Sequence, residues 1–321
     1  MRRNAYLFII AIMITGILVS GAACTPLLKK KEVKEEPGAG ELRQIRTGTE
    51  AIYMEFVKDI PPAQIYDSEE LTVMVNIKNK GAENVEDAWF YIGGVDPNIV
   101  PFDVRGLSIS DVSLEGYLPG KDELRGEEGE SVLTFTALLR GLPQGTDVYE
   151  PNLIVTACYD YKTVASPIVC IDPNPFGVYT ASKACKPESV SIASGQGGPI
   201  AVTKVEQVPS RGGVQFKIYV ENKGKGKAIA DEKYDTCNLI EPTDYRYVNK
   251  IDAYSVDAVG LNLIKCQPDP YNLRLVDEKG VIICSFDVPD NVPAYTTPLN
   301  IVLEYNYMES TPPKKIKIIH I

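Results

Sequence analysis

Hydrophobic and polar positions alternate with a period of two in several segments of the chain, which predicts strands with one face buried and the other wet. Leu71, Val73, Val75 and Ile77 share one face, Thr72, Met74, Asn76 and Lys78 the other, and the segment turns at Asn79-Lys80-Gly81. The same pattern returns at Val214, Phe216, Ile218 and Val220, set against Gln215, Lys217, Tyr219 and Glu221. It closes on Asn222-Lys223-Gly224, an offset of 143 residues from Leu71 to Val214. A second pair agrees. Leu153, Val155, Ala157, Tyr159 and Tyr161 alternate as Leu299, Ile301, Leu303, Tyr305 and Tyr307 do, at an offset of 146. Tyr149 and Tyr295 precede these strands, each followed by a proline (Pro151, Pro298). The chain carries an internal duplication.

Strands are predicted over 52–57, 71–78, 88–92, 132–139, 153–161 and 168–171 in the first copy. In the second they fall at 200–206, 214–221, 247–255, 273–276, 281–288, 299–307 and 315–321, with Asp277-Glu278-Lys279-Gly280 as a hairpin turn. Short strands, Pro/Gly/Asn punctuation and no helical period predict an all-β protein: two tandem immunoglobulin-like antiparallel β-sandwiches. At 321 residues the chain is too long for one such domain of ~100 residues and comfortable for two. The sandwiches are placed at 49–172 and 199–321, with 173–198 as linker. Tyr149 and Tyr295 occupy the position of the tyrosine corner of such folds, and Trp89, on a predicted strand, is expected in the core.

Residues 1–24 have the layout of an export signal or membrane-anchor helix. Arg2 and Arg3 precede an uncharged apolar run over 5–19, then Ser20-Gly21-Ala22-Ala23-Cys24. Cys24 after small residues is the candidate lipidated cysteine, although Gly21 stands where a bulky aliphatic residue is usual; cleavage without lipid and an uncleaved helix stay open. Residues 25–48, rich in Lys and Glu and closing on Pro37-Gly38, predict a flexible charged stalk. Each alternative puts the body outside the cytoplasm, tethered through membrane lipid to the outer face of the cytoplasmic membrane or released.

Charge and histidine content then narrow the chemistry. The net charge of −10 would become −12 on losing Arg2 and Arg3, which repels nucleic-acid phosphate and anionic headgroups. No nucleic-acid partner is expected. The one histidine, His320, removes Ser-His-Asp triads, HExxH zinc sites and histidine general bases, and reads as a residue at the end of the last strand. No catalytic residue and no cofactor is proposed from the sequence.

Seven cysteines leave six for bonds once Cys24 is set aside: Cys158, Cys170, Cys185, Cys237, Cys266 and Cys284. Cys158 aligns with outward-facing Glu304. With Cys170 it would flank a hairpin around Tyr161–Pro167, so Cys158–Cys170 is the expected bond, with pairing of the other four open. Cys284 falls on the inward side, suited to a buried bond with Cys237 or Cys266. Asp172 and Asn174 are the best candidates for calcium among the Asp-Pro turns, set against plain turn chemistry. The charged loop Gly120–Glu130 reads first as a solvated loop, and as the place to look for a partner if one loop binds it; Lys223–Lys227 reads as a turn first and an anion contact second.

The segments Val73–Gly81 and Phe216–Gly224, each followed by a late strand ending in Tyr-x-Tyr, resemble the cell-adhesion-related domains of bacterial and archaeal surface proteins. With the stretch Cys158–Pro175, the chain as a whole is similar to uncharacterised archaeal surface lipoproteins. The resemblance implies a non-catalytic role at the cell surface, in adhesion or envelope organisation, through an envelope or surface protein partner. An accessory ligand-binding subunit of an envelope transport or secretion complex is the alternative.

Overall fold

A computed structural model describes residues 46–124, 126–177, 183–210, 212–229, 246–289 and 292–321. The first half runs through β1 (Ile52–Phe56), β2 (Gln64–Tyr66), β3 (Glu70–Asn79), β4 (Ala88–Gly93) and β5 (Leu107–Ser108). One helical turn (Ile109–Val112) leads to β6 (Gly129–Leu138), β7 (Val148–Tyr149), β8 (Asn152–Ala165) and β9 (Ile168–Ile171). The second half has β10 (Val190–Ser191), β11 (Ile200–Ser210), β12 (Gly213–Asn222), β13 (Lys227–Ile229) and β14 (Ala253–Ala258). It ends with β15 (Asn262–Gln267), β16 (Lys279–Asp287), β17 (Tyr295–Ser310), β18 (Lys314–Lys315) and β19 (Lys317–Ile319). The protein is all-β, and among the described residues every strand pair is antiparallel except β19 with β2.

The period-two faces bury as the alternation requires. Leu71, Val73, Val75 and Ile77 are fully buried, as are Phe216, Ile218 and Val220, and so are Leu153, Val155 and Ala157 with Leu299, Ile301 and Leu303. In the first half the sheet β1-β3-β6 turns these residues toward β4 and β8; in the second, β10-β11-β12-β16-β15 faces β17. Each Asn-Lys-Gly is a corner where the chain leaves one sheet: β3 pairs with β6, and the strand after the corner, β4, pairs with β8. The Asp277/Glu278 turn is a tight reversal with both residues at positive φ, closed by paired bonds between Val276 and Lys279. The strands predicted over 247–255 and 273–276 shrink to β14 and isolated bridges at Val248, Lys250 and Val276, and β15 was not anticipated.

The halves join through their last long strands. β8 and β17 pair over ten residues, Thr156–Ala165 against Ile301–Ser310. Asp160 lies opposite Asn306, its own counterpart at the offset of 146, so the ladder has a pseudo-twofold axis at that pair. No hairpin forms at Tyr161–Pro167. Ser166-Pro167 interrupts the ladder without reversing the chain, and β9 continues along β17, Ile168–Ile171 against Tyr295–Pro298. In the mirror arrangement β18 continues along β8, and β19 closes the first half between β2 and β7. Each half therefore lends its terminal strand to the other, an intramolecular version of the strand exchange seen in swapped dimers. The segment 315–321, predicted to close the second sandwich, closes the first.

That straight run corrects the disulfide reading. Cys158 and Cys170 lie twelve positions apart on a nearly continuous strand, about 40 Å at ~3.3 Å per residue, and cannot meet. Cys170 instead bonds Cys185, and Cys266 bonds Cys284 directly across β15 and β16. Cys158 is itself disulfide-bonded, and Cys24 and Cys237 lie outside the described residues. Its side chain is buried away from the main core, in a small cluster with Tyr91 and Ile229. Trp89 packs on that cluster, on the face of β4 opposite the core residues Ala88 and Phe90.

The returning C-terminus is clamped by a hydrogen-bonded contact: His320 Nδ1 is 2.6 Å from Asp67 Oδ2, which also accepts the Leu142 N–H at 2.9 Å. Those hydrogen bonds hold the Asp67 carboxyl below its ordinary range. Asp67→Asn should speed exchange of the Lys317–Ile319 amides on the order of tenfold, leaving β8 protection unchanged, in hydrogen-exchange mass spectrometry.

Candidate interaction site

Two locked corners and a tyrosine quartet build the surface at the pseudo-dyad. Asn79 donates to the carbonyls of Glu83 (2.8 Å) and Leu118 (3.0 Å) and accepts the Gly81 N–H (2.9 Å). Asn222 repeats this, donating to Gly226 O (2.9 Å) and accepting the Gly224 N–H (3.1 Å). The hydroxyls of Tyr161 and Tyr307, equivalent in the two copies, accept the N–H of Glu83 and Gly226 respectively. Glycine is required at both corners because a Cβ would meet those hydroxyls, at 2.0 Å from Gly81 and 2.3 Å from Gly224. Tyr159, Tyr161, Tyr305 and Tyr307 stack across the ladder, with Tyr159–Tyr307 centroids 5.9 Å and Tyr161–Tyr305 centroids 6.2 Å apart. Burial pushes all four phenols up, so they stay neutral.

Over this layer runs an open groove of about 620 Å³, with Asp160 and Asn306 of the pseudo-dyad in its lining. Its walls are strongly acidic. Glu83, Glu86 and Asp87 come from the corner after β3, Asp122 and Glu123 from the charged loop, and Asp252 and Glu304 from the second half. Lys162 lines it too, 3.2 Å from Glu83, and Arg46 reaches Glu83 at 2.7 Å and pairs with Asp122. Burial pushes the Asp122 carboxyl up against the pull of Arg46. Glu123 accepts from Asn84 (2.6 Å) and from Tyr117 (2.7 Å), whose phenol is pushed up to about 12 by that bond. The carboxylates are spread along the walls. Among the described residues no group of three or more His, Cys, Asp or Glu is placed to hold a metal ion.

Behind the corners, Lys80, Lys121, Lys223 and Lys225 line a recess of about 320 Å³ with Glu50. Burial pushes Glu50 up, but Lys80 (3.3 Å) and Lys225 (3.4 Å) outweigh it and leave the carboxyl below its ordinary value. Lys121 faces Glu128 at 3.5 Å and Lys223 pairs with Glu221, so the recess is largely self-neutralised.

The structure separates the residues singled out in the sequence. The Gly120–Glu130 loop contributes Asp122 and Glu123 to one wall of the groove. Asp172 and Asn174 do converge, but around the Lys183 ammonium, 2.5 Å from Asp172 Oδ2 and 2.9 Å from the Asn174 carbonyl. A lysine stands where calcium was considered. Tyr149 accepts the Asp96 N–H at 2.7 Å, and Tyr295 is half-buried where β9 joins β17. Cys24 lies outside the described residues. Asp252 and the pairing of Asp160 with Asn306 were not anticipated, although the Tyr-x-Tyr repeat already marked the strands that carry the latter.

No protein-family model matches the chain, and no curated protein matches it. Two disulfides point to an oxidising, extracytoplasmic environment. No helix among the described residues is long and apolar enough to cross a membrane.

Proposed function

We propose that the protein is a non-catalytic, membrane-tethered surface protein whose two immunoglobulin-like halves mediate adhesion or envelope organisation through protein–protein contacts. The carrying observation is the groove over the pseudo-dyad. Its charge is distributed along both walls and mounted on a rigid, hydrogen-bonded ladder. A distributed acidic surface suits a basic segment of a macromolecular partner, with charge setting encounter rate and register.

The test is a photo-crosslinking residue at exposed Glu86 in the native membrane, with Asp87→Lys as the charge-reversed control. An adduct with an envelope or surface protein, lost at least tenfold on reversal, supports the reading. A stoichiometric adduct with a transport or secretion subunit would move the assignment to that machinery. Adducts indifferent to Asp87→Lys would remove the groove from the interaction.

A further inference from the structure

The duplication supplies a comparison within one molecule. In the second half, β16 has β12 on one side and β15 on the other, and Cys266–Cys284 staples β15 in place. Its counterpart in the first half, β6, has β3 on one side only. The ladder β3–β6 runs for ten residue pairs without a register shift. Leu139 N–H donates to Glu69 O, so by alternation the amides of Val132, Thr134, Thr136 and Leu138 point away from β3. These four form no hydrogen bond on that side among the described residues. From Ser131 to Leu138 the strand has no proline, no charge and no bulge, the devices that usually blunt an edge. The neighbouring excursion hydrogen-bonds to it at its ends, where Ser131 donates to Val112 O and Arg140 N–H donates to Ile99 O, and packs the Phe102 ring edge-on against Phe135 on the core side of the strand.

We propose that β6 joins two copies of this chain, edge to edge and antiparallel, about a dyad at Phe135. In that register Val132 faces Leu138 of the second copy and Thr134 faces its Thr136. These are the β-branched and apolar cross-strand pairs that stabilise antiparallel ladders. Val132 and Leu138 are the two exposed large hydrophobics of the strand, 41% and 65% accessible, and each covers the other. No like charges oppose. The result is a six-stranded sheet β1-β3-β6 continued by its twofold image. The chain already uses this join internally, where β8 and β17 meet antiparallel about Asp160 and Asn306.

The proposal rests on the interaction role above only in naming a partner, because β6 belongs to a different sheet from the groove strands. Sedimentation of the full chain in mild detergent should give twice the monomer mass. Thr134→Pro removes one outward N–H, spares the bonds to β3, and should weaken association at least tenfold while the groove's partner still cross-links. Should Thr134→Pro fail to fold, an oxidised mixture of Thr134→Cys and Thr136→Cys chains should give a mixed disulfide dimer. A chain that stays monomeric, a dimer unchanged by Thr134→Pro, or no mixed disulfide would each overturn the proposal.

Discussion

Asn79→Ala should lower the unfolding free energy by about 4 kcal/mol, seen as a shift of the urea midpoint at constant slope. Asn222→Ala should cost about half as much. Asn79 is fully buried, and its amide group alone satisfies the Gly81 N–H and draws the Glu83 and Leu118 carbonyls together. Truncation leaves two main-chain groups, the Gly81 N–H and the Glu83 carbonyl, without partners where water has little room, each worth ~1–3 kcal/mol, and takes one of two bonds from the Leu118 carbonyl, which keeps the Val85 N–H. Asn222 has the same geometry but is partly exposed, and one of its partners is the Glu278 carboxylate, so water can replace much of what is lost. Equal losses at the two sites would mean the corners do not differ in solvent access. Against a typical stability of ~5–15 kcal/mol, the Asn79 loss would be a large share of the total.

The two asparagines also show how far the sequence could be read. Asn-Lys-Gly was legible as punctuation because it recurs after matched alternating strands, and alternation is local. Which strand follows the corner is not local: the tyrosine hydroxyl that requires Gly81 comes from 80 positions away. Terminal-strand exchange was hidden for the same reason. Ile168–Ile171 and Lys317–Ile319 look like last strands of their own copies, and because the copies are alike, either half offers an equivalent edge. The Cys158–Cys170 reading failed with it, since it assumed a reversal at a proline that only interrupts a ladder. β15 escaped because Leu263 and Ile264 are consecutive and exposed across a register shift, so no alternation marks the strand. The groove was half legible. Charge flagged the Gly120–Glu130 loop, but only the pseudo-dyad brings Asp252 and Glu304 from the second copy to face it.

Glu309→Gln should stabilise the protein at pH 8 and leave it unchanged at pH 4. Tyr159 O–H donates to Glu309 Oε1 at 2.8 Å, and the pseudo-symmetric contact pairs Tyr305 with Thr163, also at 2.8 Å. One copy thus holds a neutral hydroxyl where the other holds an acid. Burial pushes the Glu309 carboxyl up to about 7, against the pull of the Tyr159 hydrogen bond, with the Glu50 carboxylate adding to the rise and Lys225 opposing it. A carboxyl raised in the folded state binds its proton more tightly there than in the unfolded chain. Below the ordinary value of 4.5 it is protonated in both states and contributes no penalty. Between 4.5 and about 7 the unfolded chain ionises first, so stability falls as pH rises; above about 7 the loss is complete. At ~1.4 kcal/mol per unit the ceiling is about 3 kcal/mol, and the side chain's residual solvent contact brings the expected gain nearer ~1–2 kcal/mol. Glutamine keeps an acceptor for the Tyr159 hydroxyl without the charge. The measurement is the difference in thermal midpoint between Glu309→Gln and the parent at pH 4, 6 and 8. A difference that does not grow with pH would mean that Glu309 ionises as freely as a surface carboxylate, and that the asymmetry between the two tyrosine contacts carries no charge penalty.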